Sequence, residues 1–231
     1  MHGRTPVVRP SLSTISFIAA LAFLGCKDAG ITNPPEHNLL LSVQAAGSVL
    51  QKADHEILHL TSVRVLLKGI EFTQSVSEDS VEVESGLRVV NLAMDARITE
   101  ISAVRIRPGE YDRIRFTIHK PDDQEQVGDS TFIAADSTHQ RFSVVITGFY
   151  HETPFTFRSQ ESAIQELRLL APVNLTEDET INVTLKIDPY LWFTTNGLIL
   201  DPFNQTKEIN DLLKKSFADA FRDNNRDGDP D

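Results

Sequence analysis

The chain has a single cysteine, Cys26, in 231 residues. No intrachain disulfide can form, so the fold must rest on its core alone. Basic residues are also scarce: 22 Lys and Arg stand against 33 Asp and Glu, for a formal charge of −11. An acidic surface repels phosphate backbones, so nucleic acid is not an expected partner. The apolar stretch near the amino end, ISFIAALAFL at residues 15–24, has only ten residues. A membrane-spanning helix needs about 20. There is no G-x-S-x-G nucleophile elbow and no internal repeat. What remains is 40% hydrophobic, enough to build the core of one globular domain with appendages.

The short apolar stretch has another use. Arg4 and Arg9 precede it and Gly25-Cys26 follow it directly, which is the layout of a signal peptide. The tripeptide Leu24-Gly25-Cys26 resembles the lipobox of bacterial lipoproteins. That resemblance implies a diacylglycerated Cys26 thiol, cleavage before it, and acylation of the new amine. Several acyl chains anchor stably, at about 0.8 kcal/mol per buried CH₂. The expected domains are then a signal peptide at 1–25 and a lipidated, Pro- and Asn-rich tether at 26–37. Lys27-Asp28 resembles part of a surface-export signal. The expected location is the cell envelope, lipid-anchored to the outer membrane; Ala29 stands where that signal has a second acid, so the periplasmic and the surface leaflet both stay open. Loss of Arg4 and Arg9 with the leader takes the charge from −11 to −13.

Beyond the tether the dominant period is two. In TINVTLKID (180–188), Ile181, Val183, Leu185 and Ile187 share one face, as in a half-buried strand. YDRIRFTIH, RFSVVIT and SVRVLLKGIEF repeat the pattern, and Gly69 marks a bulge or close approach. LRVVNL, TPFTFRS and ELRLLAPV read as further strands. No ten-residue helical pattern alternates with them, so the expected fold is mainly β, an antiparallel sandwich over residues 38–193. LRVVNL, RPGEYDRIRFTI, INVTLKIDPYLWF and GLILDP resemble segments of a family of uncharacterised bacterial lipoproteins. The resemblance covers residues 38–231 and implies an immunoglobulin-like or prealbumin-like sandwich. It brings no activity and no catalytic residues, and the chain is not expected to be an enzyme.

One motif argues otherwise. His55, Glu56 and His59 spell H-E-x-x-H. On a helix the two histidines face one zinc ion and the glutamate acts as general base. Ala46, Leu50, Ala53, Ile57 and Leu60 have helical spacing, but Gly47 weakens it and strand period follows at once. A third ligand is missing: the metzincin positions hold Ser62 and Val65. A zinc hydrolase is therefore the alternative reading. His37, His119, His139 and His151 stand singly, without ligand spacing.

The carboxyl end differs. Ile209, Leu212, Leu213, Phe217, Ala220 and Phe221 have the spacing of an amphipathic helix over 206–222, in a segment 194–231 appended to the sandwich. After it, Asp223, Asn225, Asp227 and Gly228 match positions 1, 3, 5 and 6 of an EF-hand loop. Ca²⁺ wants six to eight oxygens, which alternate residues of a tight loop supply. Asp229 would offer its carbonyl and Asp231 would take position 9. Position 12 has no acid within residues 223–231, and Pro230 replaces an apolar residue. Asp188 and Asp201 are candidate extra ligands. The expected role is structural, a cation stapling the helix. Trp192, beside Phe193 at a strand end, reads as a core plug or, alternatively, as an exposed platform for a glycan, so protein and glycan both stand as partner classes, with the membrane reached through Cys26.

Overall fold

The computed structural model describes residues 35–46, 57–77, 79–136, 138–215 and 219–231. They belong to one unit, Pro34–Asp231. The leader, Cys26, the tether up to residue 34, His55 and Glu56 lie outside the described residues. Along the chain come β1 (Leu39–Ala45), β2 (Leu58–Gln74), β3 (Ser80–Glu84), β4 (Arg88–Leu92), β5 (Thr99–Val104) and β6 (Gly109–Ile118). Then follow β7 (Val144–Tyr150), β8 (Thr153–Ser159), β9 (Ala163–Leu175) and β10 (Ile181–Ile187). A 3₁₀ turn (Pro189–Phe193) leads to a small hairpin of β11 (Thr194–Thr195) and β12 (Leu198–Ile199). Helix α1 (Thr206–Leu213) and β13 (Asp219–Arg222) end the order.

The main sheet runs β5-β1-β10-β13-β9-β6-β2-β7-β8, with β3 and β4 also paired to β2. It is mainly β as expected, but not purely antiparallel. β1 runs parallel to β10 and β13 parallel to β9, so the sheet is mixed and curls into a half-barrel. Strand β2 makes the bend. Its first half pairs with β7 and its second with β6 on one side, while β4 and β3 follow one another on the other side. β6 replaces β7 between Val65 and Leu67, and β3 replaces β4 between Leu67 and Ile70, beside a register shift between Lys68 and Glu71 where Gly69 has φ +64°. That left-handed conformation is one a residue without Cβ adopts at no steric cost.

The concave face carries the core. Leu39, Leu41 and Val43 of β1 meet Val183, Leu185 and Ile187 of β10, and Phe72, Ile114 and Phe116 continue the layer. Ile209 and Leu213 of α1 and Trp192 and Phe193 of the 3₁₀ turn join the same cluster. A smaller cluster of Leu66, Phe132, Phe142 and Val145 packs on the outer face under residues 127–134.

The carboxyl-terminal segment corrects an expectation. The helix does not run to residue 222; it stops at Leu213, and Asp219–Arg222 is a strand between β10 and β9. Ala220 and Phe221 suit either conformation by pattern. The open edges of β10 and β9 decide the matter, because their unpaired backbone groups need partners. Lys186↔Asp219, Leu185↔Ala220, Thr184↔Phe221 and Val183↔Arg222 supply them to β10, and Ala220↔Leu169 joins β13 to β9. Phe217 lies outside the described residues.

At Gly148, beside Leu60 on β2, two backbones approach closely. A Cβ there would lie 2.2 Å from the His59 carbonyl oxygen and 3.1 Å from Leu60 Cα. Gly148→Ala is expected to destabilise the fold by about 1–3 kcal/mol through overpacking. Urea denaturation of the two proteins checks this; equal midpoints would refute it.

Candidate functional site

The carboxyl-terminal loop is built on Asp223, the residue after β13, whose side chain is fully buried. A buried carboxylate is costly unless it is well hydrogen-bonded. Thr184 Oγ1 donates to Asp223 Oδ2 at 2.8 Å and Gly228 N at 3.2 Å, while Asp227 N donates to Oδ1 at 3.0 Å. Two smaller turns repeat the device. Asp227 N donates to Asn225 Oδ1 at 3.1 Å, and Asp229 N donates to Asp227 Oδ1 at 3.0 Å. Such local side-chain bonds are what Asp and Asn offer a turning backbone. Gly228 has φ +88°, and a Cβ on it would lie 2.2 Å from the Gln44 side-chain amide. Both facts call for glycine at that place.

The structure therefore brings Asp223, Asn225 and Asp227 together on one tight turn. Asn225 Nδ2 also donates to Asp227 Oδ2 at 2.9 Å. The side chains of Asp229 and Asp231 are drawn elsewhere. Lys186 Nζ lies 3.4 Å from Asp229 Oδ1, and Asp231 Oδ2 accepts from Asn224 N at 2.7 Å and lies 3.5 Å from Arg222 Nε. Asp188 and Asp201 do not join. Asp188 Oδ1 caps the 3₁₀ turn by accepting from Tyr190 N at 3.0 Å, and Asp201 Oδ1 accepts from Phe203 N at 2.8 Å.

Beneath the loop lies a buried polar network that the alternation places on the outer face of β1 and β10. Ser42 Oγ donates to Asn182 Oδ1 at 2.7 Å. Asn182 Nδ2 donates to Thr184 Oγ1 at 3.0 Å and to the Asp223 carbonyl at 2.8 Å. Arg226 reaches across to Ser42 Oγ at 3.5 Å and to Glu100 at 3.6 Å. These polar residues read as a solvated strand face in sequence. They are buried because the last nine residues fold back over them.

A second cluster corrects the reading of His119 as isolated. His119, Asp122 and Glu125 carry ligand-type atoms within 4.8 Å of one another, the one such group among the described residues. His119 Nε2 is 2.7 Å from Glu125 Oε2, Lys68 Nζ donates to Glu125 Oε1 at 2.5 Å, and Asp122 N donates to Oε2 at 2.8 Å. The Lys68 ammonium holds the Glu125 carboxyl down to about 2; burial pushes the other way, and the His119 and Asp122 bonds add to the lowering. The signal in sequence was the spacing H-x-x-D-x-x-E in the loop after a strand.

His59 is the described member of H-E-x-x-H. It is the second residue of β2, opposite Phe149, with the rings 6.5 Å apart. A helical pair at positions 55 and 59 needs helical backbone through Leu58 and His59; both are in a strand.

Of the two readings of Trp192, the platform is excluded and the core plug holds: its side chain is fully buried. Tyr190, Trp192 and Phe193 all turn inward from the 3₁₀ turn, so Trp192 plugs the core. The exposed aromatic ring of this region is Phe203, 51% exposed, 6.4 Å from the rings of Tyr150 and Phe155.

No family model matches the chain, and no curated protein matches it. Among solved structures, MbnP from Methylosinus trichosporium aligns with 10% identity and a TM-score of 0.34, over 65% of this chain and 74% of that one. A likeness of that size carries no argument about fold or function.

The network makes Thr184 a sharp test of the loop. Thr184→Val removes one donor from the buried Asp223 carboxylate and one acceptor from Asn182. The expected loss is about 1–3 kcal/mol in chemical denaturation, with Thr184→Ser close to the parent. A neutral Thr184→Val would show that the network contributes nothing net.

Proposed function

We propose that this chain is a non-enzymatic binding or structural module of the cell envelope. Lipid on Cys26 holds it to the outer membrane, with Lys27-Asp28 directing it to the surface. Its curled sheet is a variant of the immunoglobulin-like or prealbumin-like sandwich, and Ca²⁺ staples the loop Asp223–Asp231. Its partner is a protein or a glycan bound without turnover. The observation that supports the calcium reading best is the loop built on Asp223. Its first, third and fifth residues each fix a side-chain oxygen on backbone N–H groups of the same turn, and glycine stands at the sixth. This is the register in which alternate oxygens converge on a hard cation. With Asp229 and Asp231 turned toward Lys186 and Arg222, fewer ligands are supplied than in a complete loop. The expected affinity is therefore in the weak extracellular range, about 10⁻⁴–10⁻³ M.

The value of such a staple follows from its place. Asp223 continues β13, and β13 fills the sheet between β10 and β9. A cation that binds only the folded loop stabilises the fold by mass action. Millimolar Ca²⁺ is expected to raise the melting temperature by about 2–4 °C, and Asp227→Ala to abolish the rise. An equal rise in Asp227→Ala, or none in the parent, would sink the calcium reading. The anchor is checked separately: Cys26→Ser should move the chain from the membrane fraction to the soluble fraction. A variant still in the membrane fraction would refute lipidation at Cys26.

A further inference from the structure

We propose that His119, Asp122 and Glu125 form a binding site for a divalent transition-metal ion of the Zn²⁺ class. The site shares no residue with the calcium loop or with H-E-x-x-H.

The three residues lie on one loop between β6 and the segment that runs on to β7, and that loop is held in several places. His119 N donates to the Leu66 carbonyl at 2.9 Å, and Lys120 N donates to Ser162 Oγ at 2.9 Å. The Arg141 guanidinium forks onto two loop carbonyls, Glu125 O at 2.8 Å and Asp123 O at 2.7 Å. The backbone that carries the donors is thus positioned before any ion arrives, which lowers the entropic cost of assembling a site.

The donor set selects the ion. One imidazole nitrogen and two carboxylates suit Zn²⁺, which takes His and Asp or Glu at about 2.0–2.2 Å. They do not suit Ca²⁺, which asks for six to eight oxygens. The ligand atoms all lie within 4.8 Å of one another. His119 Nε2 and Glu125 Oε2 already face each other at 2.7 Å. A metal ion enters between them on the Nε2 lone pair, which requires the tautomer with its proton on Nδ1. Lys68 stays on Glu125 Oε1 and leaves Oε2 as the ligand. The His119 and Glu125 side chains are 17% and 23% exposed, and Asp122 is exposed. Solvent therefore gives an entry path, and water takes the fourth coordination position.

Titration calorimetry with ZnCl₂ on the full chain carrying Cys26→Ser, so that no thiol competes, tests the assignment. One Zn²⁺ per chain is expected, undisturbed by excess Ca²⁺. His119→Gln keeps an N–H for Glu125, so its metal-free melt should match the parent, while zinc affinity falls by at least about 10-fold. Asp122→Asn should lose affinity likewise, and His59→Ala should lose none. Stoichiometric binding that survives His119→Gln, binding lost in His59→Ala, displacement by Ca²⁺, or no binding at tens of micromolar would each overturn the proposal.

Discussion

Four residues near the carboxyl end, Asp219–Arg222, separate β9 from β10 and bond to both. Until they arrive, two long strands present open edges, and an open edge within a curled sheet cannot be left to water without losing the core behind it. The arrangement joins β1, near the amino end of the described fold, through β10 to the last strand. Pairings of this sequence separation form late, because loop closure must precede the contacts that reward it.

The same constraint explains the buried polar network. A strand exposed on one face alternates apolar and polar residues, and β10 does so in sequence. In the folded chain Asn182 and Thr184 are as buried as Val183 and Leu185, because the segment after β13 lies over them. Burial of those groups is tolerable only when each finds a partner. The partners come from the covering segment itself, through the Asp223 carbonyl and carboxylate. Cover and covered are mutually dependent, as local groups in a satisfied network are.

Much of the fold was legible as period. Residues 180–188 read as a strand and β10 is Ile181–Ile187; the alternation around Ile114 and Phe116 became β6; Gly69 stands where β2 changes partners. What period cannot carry is pairing. That β1 runs parallel to β10 depends on contacts between residues some 140 positions apart, as between Ser42 and Asn182, and β13 enters between β10 and β9 through pairs such as Leu185↔Ala220 and Leu169↔Ala220, far outside any local window. Ala220 and Phe221 fit a helix stripe as well as a strand, and only the empty slot in the sheet chose between them. The turn at Asp223–Gly228 was legible because its signal is local: Asp, Asn and Gly at fixed offsets. The depth of Asp223 was not, since a run of acids reads as a solvated tail. Trp192 reads both ways in sequence, as a core plug at a strand end or as an exposed platform. Its neighbours, Asp188 and Pro189, look like a surface turn, and that turn points its aromatic rings inward.

The parallel pairing of β1 with β10 also has a mechanical side. The chain enters the fold at Asn38 and passes directly into β1, with β10 on one flank and β5 on the other. A pull applied from the amino side acts along the axis of β1. The ladder with β10 spans seven residue pairs, Leu39↔Ile181 to Ala45↔Ile187, and an axial load is shared by all of them at once. A strand loaded this way slides only when its bonds on both flanks yield together, whereas a strand peeled from an edge gives them up one at a time.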